Sequence, residues 1–340
     1  MDTAAVRSHP RARPALALLA LAIVLALGAC TFSRATVTAH AYRGWGDAVT
    51  LSNPALEVVA VPGISRIIHL SLPGQPNIFH VDGRWLGQAQ DPAMDAAGAY
   101  RDFGGAKLWN APQKDWRYPW GGWPPDLTLD SAPSELSVGA GDGITLKGRA
   151  SPVVGVRYTR TLTLDGEAVV DEVEMRNTGD HPTSWGVWSV LCVRAEGTVY
   201  LPVPSGTRLW TGEGDRVIAE SYGWERHGEV LVLPHAPAKN GQKLFCASPA
   251  SWIGYLVDGQ ALFITYQAAD ALPSPAGEAA SEVYACPDFI ELEHIGRVEH
   301  LQPGTAARFR EHWHVRPGPT SATTLAQRAA WMAATAAELR

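Results

Sequence analysis

Two carboxylates stand two residues apart in Phe289-Ile290-Glu291-Leu292-Glu293, alternating with apolar side chains. In an extended chain successive side chains point to opposite sides, so Glu291 and Glu293 share a face opposite Ile290 and Leu292. Like charges side by side raise the pKa of one member, which suits a group that exchanges a proton near neutral pH. The same spacing also describes two solvated carboxylates on an exposed strand face. A second stretch, residues 103–126 (FGGAKLWNAPQKDWRYPWGGWPPD), carries a different chemistry. It sets Trp109, Trp116, Trp120 and Trp123 among Gly104, Gly105, Gly121, Gly122, Pro112, Pro119, Pro124 and Pro125. Glycine and proline fix turns, so a long structured surface loop is expected. Its tryptophans would form an aromatic wall beside Lys107, Gln113, Lys114, Asp115 and Arg117, a combination that suits a sugar. An Ω-loop that only seals the end of a β-core has the same composition. Histidines offer a third possibility, because His312 and His314 share a strand face and His294 or His300 could complete a zinc site. Solvated histidines on an edge strand are the simpler account, so neither metal nor another cofactor is expected.

These groups need a frame. Short alternating runs recur at 55–62, 66–72, 144–150, 156–165, 167–177, 184–193, 228–234, 251–257, 261–267, 289–295 and 307–315, rich in β-branched and aromatic residues. Period-two alternation of this kind predicts strands, and so many without helical segments between them predict an all-β antiparallel sandwich in one domain. The end of the chain differs. Residues 320–340 are alanine-rich after a serine/threonine start, which predicts a C-terminal helix whose stripe Leu325, Ala329, Met332 and Ala336 packs on the sandwich with Trp331.

The N-terminus reads as a targeting segment. Arg7, Arg11 and Arg13 precede an apolar run over residues 15–29 that ends Leu27-Gly28-Ala29-Cys30. The pattern resembles a bacterial lipoprotein signal cleaved before Cys30, which would carry the lipid; an uncleaved anchor is the alternative, although the run is short for a membrane span. Either puts the body outside the cytoplasm, on the cell envelope, touching the membrane through its N-terminal lipid only. Thr31 favours the outer membrane in a diderm cell. Removing residues 1–29 leaves 340 − 29 = 311 residues with 25 basic against 33 acidic side chains, a net charge of −8. A mildly acidic body without basic runs argues against nucleic acid as a partner and leaves small sugars or oligosaccharides open. Of the remaining cysteines, Cys192, Cys246 and Cys286, one pair could form a disulfide, but three buried thiols are the simpler reading. The expected organisation is 1–29 signal peptide, 30–39 tether, 40–318 β-domain and 319–340 helix.

With strands and Trp stretch in place, the chain resembles the aldose-1-epimerase (galactose mutarotase) superfamily, and within it the DUF4380 family. The resemblance is carried by GISRIIHLSLPGQPNIF (63–79), GGAKLWNAPQKDW with GGWPPD (104–126), EVEMRNTGDHPTSWGVWSV (172–190), KLFCASPASWIGYLVDGQALFITY (243–266), EVYACPDFIELE (282–293) and LQPGTAARFREHWHV (301–315). It implies a galactose-mutarotase-like supersandwich with a sugar cleft on a concave face. In active members of that superfamily a carboxylate takes the anomeric proton while a histidine protonates the ring oxygen. Alignment then implies Glu291 as the base, with Glu293 as the substitute. The place of the histidine falls near the end of Asn177 to Trp188, where this chain has Trp188; His181 reads as an exposed turn residue. The pattern further implies Arg66, Lys107, Gln113 and Lys243 as sugar-facing polar groups, with Trp188 widening the wall of Trp109, Trp116 and Trp123. The expected function is carbohydrate binding. The alternatives are an aldose or uronate isomerase with Glu291 as base and His294 or Lys107 as acid, or a glycan lyase or hydrolase accessory.

Overall fold

The period-two pattern is carried into three dimensions. In Val156–Asp165 every second residue from Val156 to Leu162 is buried, and Ala168–Asn177 repeats the alternation. The structure, a computed structural model, describes residue 1 and residues 35–90, 100–139, 143–211, 223–237, 239–267, 274–275 and 277–339. The chain divides into two units, Met1–Phe32 and Ser33–Arg340. The expected signal at 1–29, the lipidation at Cys30 and the first half of the 30–39 tether lie outside the described residues.

Among the described residues the body is all-β, with two antiparallel sheets of eleven and ten strands. The larger runs in the order Thr36–Tyr42, Trp45–Ser52, Glu57–Val61, Arg66–Ser71, Gly105–Ala111, Thr183–Arg194, Phe289–Ile295, Ser281–Ala285, Gln242–Ala247, Arg208–Thr211, and Glu299–Leu301 pairs off Thr183–Arg194. The smaller runs Glu225–His227, Val230–Leu233, Thr198–Pro202, Trp252–Val257, Gln260–Tyr266, Ala306–Pro317, Ala168–Asn177, Val156–Asp165, Ile144–Lys147, Glu135–Val138. One apolar cluster takes residues from both, including Leu70, Ala106, Leu191, Ile290 and Leu292 from the larger and Ile144, Leu162, Val199, Ile264 and Trp313 from the smaller. This shared core makes the two sheets a sandwich. Truncating one of these side chains, Leu292 for example, is expected to cost about 2–5 kcal/mol. The core also holds Arg160, bonded to Asp171 at 2.6 Å and lying over the Trp313 ring at 5.2 Å.

The helix Leu325–Glu338 begins at a capping box in which Thr324 and Gln327 satisfy each other's backbone N–H groups. Ala329, Met332 and Ala336 bury against Tyr200, Val230, Val232, Trp252 and Phe263, and Leu325 and Trp331 flank them. The stripe is as the sequence predicts, but the helix starts five residues later than 320 because the cap at Thr324 sets its first turn. Among the described residues no helix is long and apolar enough to cross a membrane. Cys192, Cys246 and Cys286 are buried free thiols, so the disulfide alternative does not hold.

The Trp-rich stretch is a correction. Residues 105–111 are not loop but the strand Gly105–Ala111, buried on both faces, and the loop begins at Pro112. Gly104 and Gly105, counted as breakers, take left-handed conformations (φ +74° and +69°) that lead into the strand. A Cβ at Gly104 would lie 2.2 Å from the His80 carbonyl oxygen, and one at Gly105 would lie 2.4 Å from that of Ile67. The glycines therefore permit close approach of neighbouring backbones instead of ending the strand. After the turn Gln113–Asp115 the loop ends at Asp126, whose side chain caps the short helix Leu127–Asp130.

Candidate functional site

The face of the larger sheet turned away from the shared core gathers the charged side chains. Directly opposed residues in antiparallel strands share a face, so the register can be read across the sheet in rows. Trp109 lies beside Trp188 and Ile295; Lys107 beside Val190, Glu293 and Glu282; Gly105 beside Cys192, Glu291, Tyr284 and Lys243. Strand alternation thus delivers Lys107, Trp109, Trp188, Glu291, Glu293 and Lys243 to one face from four strands. Glu282 and Tyr284, which the sequence reading passed over, join them from a fifth.

Two ammonium groups organise the face. Lys107, fully buried, reaches Glu291 Oε1 at 2.8 Å, Asp102 Oδ1 at 3.0 Å and the Tyr100 hydroxyl at 3.2 Å, and lies over the Trp109 ring at 4.6 Å. Burial alone would favour the neutral amine, but the two carboxylates outweigh it and hold Lys107 charged, its pKa well above the ordinary lysine value. Lys243 bridges Glu282, at 2.9 Å, and Glu293, and its ammonium sits 5.0 Å from the Trp188 ring and 5.6 Å from Phe245. Trp188 donates its indole N–H to Glu293 Oε2 at 2.8 Å. That leaves Glu293 Oε1 buried without a hydrogen-bond partner, a costly arrangement for a carboxylate.

The glutamates are not the solvated pair that spacing alone allowed. Glu293 is fully buried and Glu291 is 7 % exposed. Burial pushes the Glu291 carboxyl up to about 7, with Lys107 opposing the rise and Glu293 and Asp102 adding to it. Burial also lifts Glu282 well above the usual carboxylate range, against the pull of Lys243. A carboxyl with its midpoint near neutrality, next to a fixed ammonium, can accept a proton from a ligand hydroxyl and return it.

The tryptophans divide by depth. Trp109 and Trp116 are 4 % and 2 % exposed, and Trp123 is 52 % exposed. Trp109 meets Trp188 edge-on at 5.3 Å, and Trp123 stacks on Trp116 at 6.4 Å while meeting Tyr100 at 5.4 Å. Of the expected wall, Trp109, Trp116 and Trp188 thus form its floor, and Trp123 presents a ring to solvent. Arg66 does not reach the open part of the face. It is fully buried and bonded to the Asp130 carboxylate at 2.7 Å, and the other oxygen of Asp130 accepts the Trp109 indole N–H at 2.7 Å. Arg66 and Asp130 therefore brace Trp109 from behind. Gln113 stands exposed on the loop, where its backbone N–H donates to Glu278 Oε1 at 2.8 Å.

The histidine expectations need correction. His294 cannot serve as an acid beside Glu291, since alternation turns it to the opposite face, where Nδ1 lies 2.9 Å from Glu311 Oε2 in the core between the sheets. Nor can it join His312 and His314, which alternate with the buried Glu311 and Trp313 and so face away from that core, their rings stacked on each other at 6.0 Å. Among the described residues no group of three or more metal-binding side chains is assembled. His181 is an exposed turn residue beside Asp180. Sequence reasoning also missed Asp102, Tyr100 and Asp130. Asp102 precedes the Gly104-Gly105 entry to the strand that carries Lys107, the one local signal that could have linked it to that lysine.

Solved structures share this architecture. An aldose 1-epimerase candidate from Klebsiella pneumoniae subsp. pneumoniae is similar with a TM-score of 0.57 at 12 % identity, over 89 % of this chain and 87 % of that one. A galactose mutarotase related enzyme from Lactobacillus acidophilus gives 0.51 at 12 % identity, over 78 % and 96 %. A galactose mutarotase-like protein from Lactobacillus casei gives 0.50 at 10 % identity, over 79 % and 100 %. Identities this low establish the fold, that of the galactose mutarotase-like sandwiches, and not an activity. No protein of curated function matches the sequence. The pattern described as a domain of unknown function, DUF4380, matches residues 47–316, and the chain belongs to that family.

Proposed function

We propose that the protein binds a carbohydrate on the outer face of its larger sheet, as a lipoprotein of the cell envelope anchored through Cys30. One run of contacts carries the reading: the exposed Trp123 ring meets Tyr100, whose hydroxyl touches Lys107, which is bonded to Glu291. A flat apolar surface and a hydrogen-bonding carboxylate thus lie side by side, as recognition of a sugar requires. The mutarotase-like fold supports the same ligand class. Binding without turnover is favoured because Trp188 donates to Glu293 and both lysines are held charged by carboxylates, so neither is a ready proton donor.

A second reading is an aldose isomerase with Glu291 as base, and the carboxyl midpoint of about 7 favours it. A panel of mono- and oligosaccharides, read by tryptophan emission, tests the shared part, and a silent panel rejects it. Glu291→Gln then separates the two. Under binding the ligand affinity stays within a few fold, whereas under isomerisation anomer exchange followed by NMR is abolished. The anchor is tested by Cys30→Ser, which should release the protein from membranes. A variant that still fractionates entirely with them overturns the lipid attachment.

A further inference from the structure

Beside the lysine–carboxylate network lies a cavity of about 350 Å³ lined by His80, Asp82, Arg84, Asp102, Asp288 and Phe289. It adjoins the proposed site, because Asp102 lines the cavity and also bonds Lys107, the partner of Glu291. Phe289 lies two residues before Glu291 in the same strand and on the same side, roughly 7 Å along it. The Phe289 ring is half-buried and leans on His80 at 5.4 Å and on Tyr284 at 6.1 Å. This is a second aromatic platform, separate from Trp123 and on the far side of the charged network.

The charges of the cavity bear on what it accepts. Arg84 is already bonded to Asp82, at 2.5 Å between Nη2 and Oδ2, and Lys107 is shared between Asp102 and Glu291. Among the residues lining the cavity, the three carboxylates Asp82, Asp102 and Asp288 outnumber the single guanidinium of Arg84, so the space carries a net negative charge. An acid group would meet an excess of like charge there. Hydroxyl groups would find carboxylates to donate to. Further along the face the unpartnered Glu293 Oε1 has the same need of a donor.

We propose that this cavity is a second ring-binding subsite, so that the ligand is an uncharged glycan of at least two rings, one reaching Glu291 and the next lying on Phe289 and His80. The inference rests on the carbohydrate-binding reading above and adds to it both length and charge.

The test is a glycan array of neutral and uronate-containing glycans of one to six rings, probed with the full chain, with hits titrated calorimetrically. Two-ring neutral glycans should bind at least tenfold more tightly than the corresponding single ring, and uronate-containing ones more weakly than neutral ones. Phe289→Ala and His80→Ala, each checked for an unchanged circular dichroism spectrum, should reduce two-ring affinity to within threefold of the single-ring value. Equal affinity for one and two rings overturns the second subsite and leaves the sugar site standing. A tenfold gain that survives both substitutions places the second ring elsewhere and overturns it too. A preference for uronates overturns the charge assignment. An array with no hits at all removes the carbohydrate site on which the inference depends.

Discussion

Replacing Glu291 by glutamine should flatten one limb of the dependence of stability on pH. The carboxyl titrates at about 7 in the folded protein against an ordinary value of 4.5. A difference of about 2.5 units at about 1.36 kcal/mol per unit sets a ceiling of about 3 kcal/mol. The sign follows from the raised pKa, since the native state holds the proton more tightly than the unfolded chain. The favourable contribution is complete below pH 4.5, falls as pH rises through 7, and stays flat above. Glu291 interacts strongly with the charges around it, Lys107 above all, so the part removed with Glu291 alone is about 1–3 kcal/mol. Urea unfolding of both proteins at pH 5 and pH 8 measures it. Relative to Glu291→Gln, the unsubstituted protein should lose about 1–3 kcal/mol between the two pH values, and a side-chain carboxyl signal should titrate near 7 by carbon NMR. If the difference between the two proteins is the same at both pH values within about 0.5 kcal/mol, the burial argument for Glu291 is wrong, and with it the case for proton exchange at this site.

Other outcomes follow from the same geometry. Trp123→Ala, at an exposed ring, should abolish sugar binding and leave the urea midpoint nearly unchanged, whereas Trp109→Ala should cost about 3–5 kcal/mol of stability. Unchanged sugar affinity in both variants would show that the aromatic surface is not the binding wall. Arg66→Met should destabilise by about 3–5 kcal/mol by stranding the buried Asp130 carboxylate, and a loss below about 1 kcal/mol in urea titration would contradict the bracing role. Burial lowers His69 to about 4 from an ordinary 6.5, so its contribution is present above pH 6.5 and is lost as pH falls toward 4. His69→Gln should therefore lose about 2–3 kcal/mol less than the unsubstituted protein between pH 7 and pH 4. Equal losses would reject that assignment. The thiols Cys192 and Cys246 are buried and held above the ordinary thiol pKa, Cys246 at about 12, so neither should react with an aromatic disulfide reagent at pH 8 until urea is added.

Much of this was local and therefore legible. Alternation in Phe289–Ile295 already placed Glu291 and Glu293 on one side, and the stripe Ala329, Met332, Ala336 already marked the buried side of the last helix. The same alternation turns His294 away from Glu293, so its exclusion was available in the sequence. The Trp-rich stretch misled because glycine is ambiguous. Gly104 and Gly105 have the composition of a turn, and only the nearness of the His80 and Ile67 carbonyls makes them the entry to a strand.

By itself, then, the sequence determined strand and helix periodicity, the side of the strand each candidate occupies, and the family. These follow from one residue's relation to its near neighbours. Which strands lie together was decided only in the tertiary structure. Lys107 meets Glu291 across 184 positions of chain (291 − 107), and Asp130 binds Arg66 across 64. The proton affinity of Glu291 depends on that assembly, because burial and the charges of Lys107, Glu293 and Asp102 act through space and carry no trace in the spacing of residues along the chain.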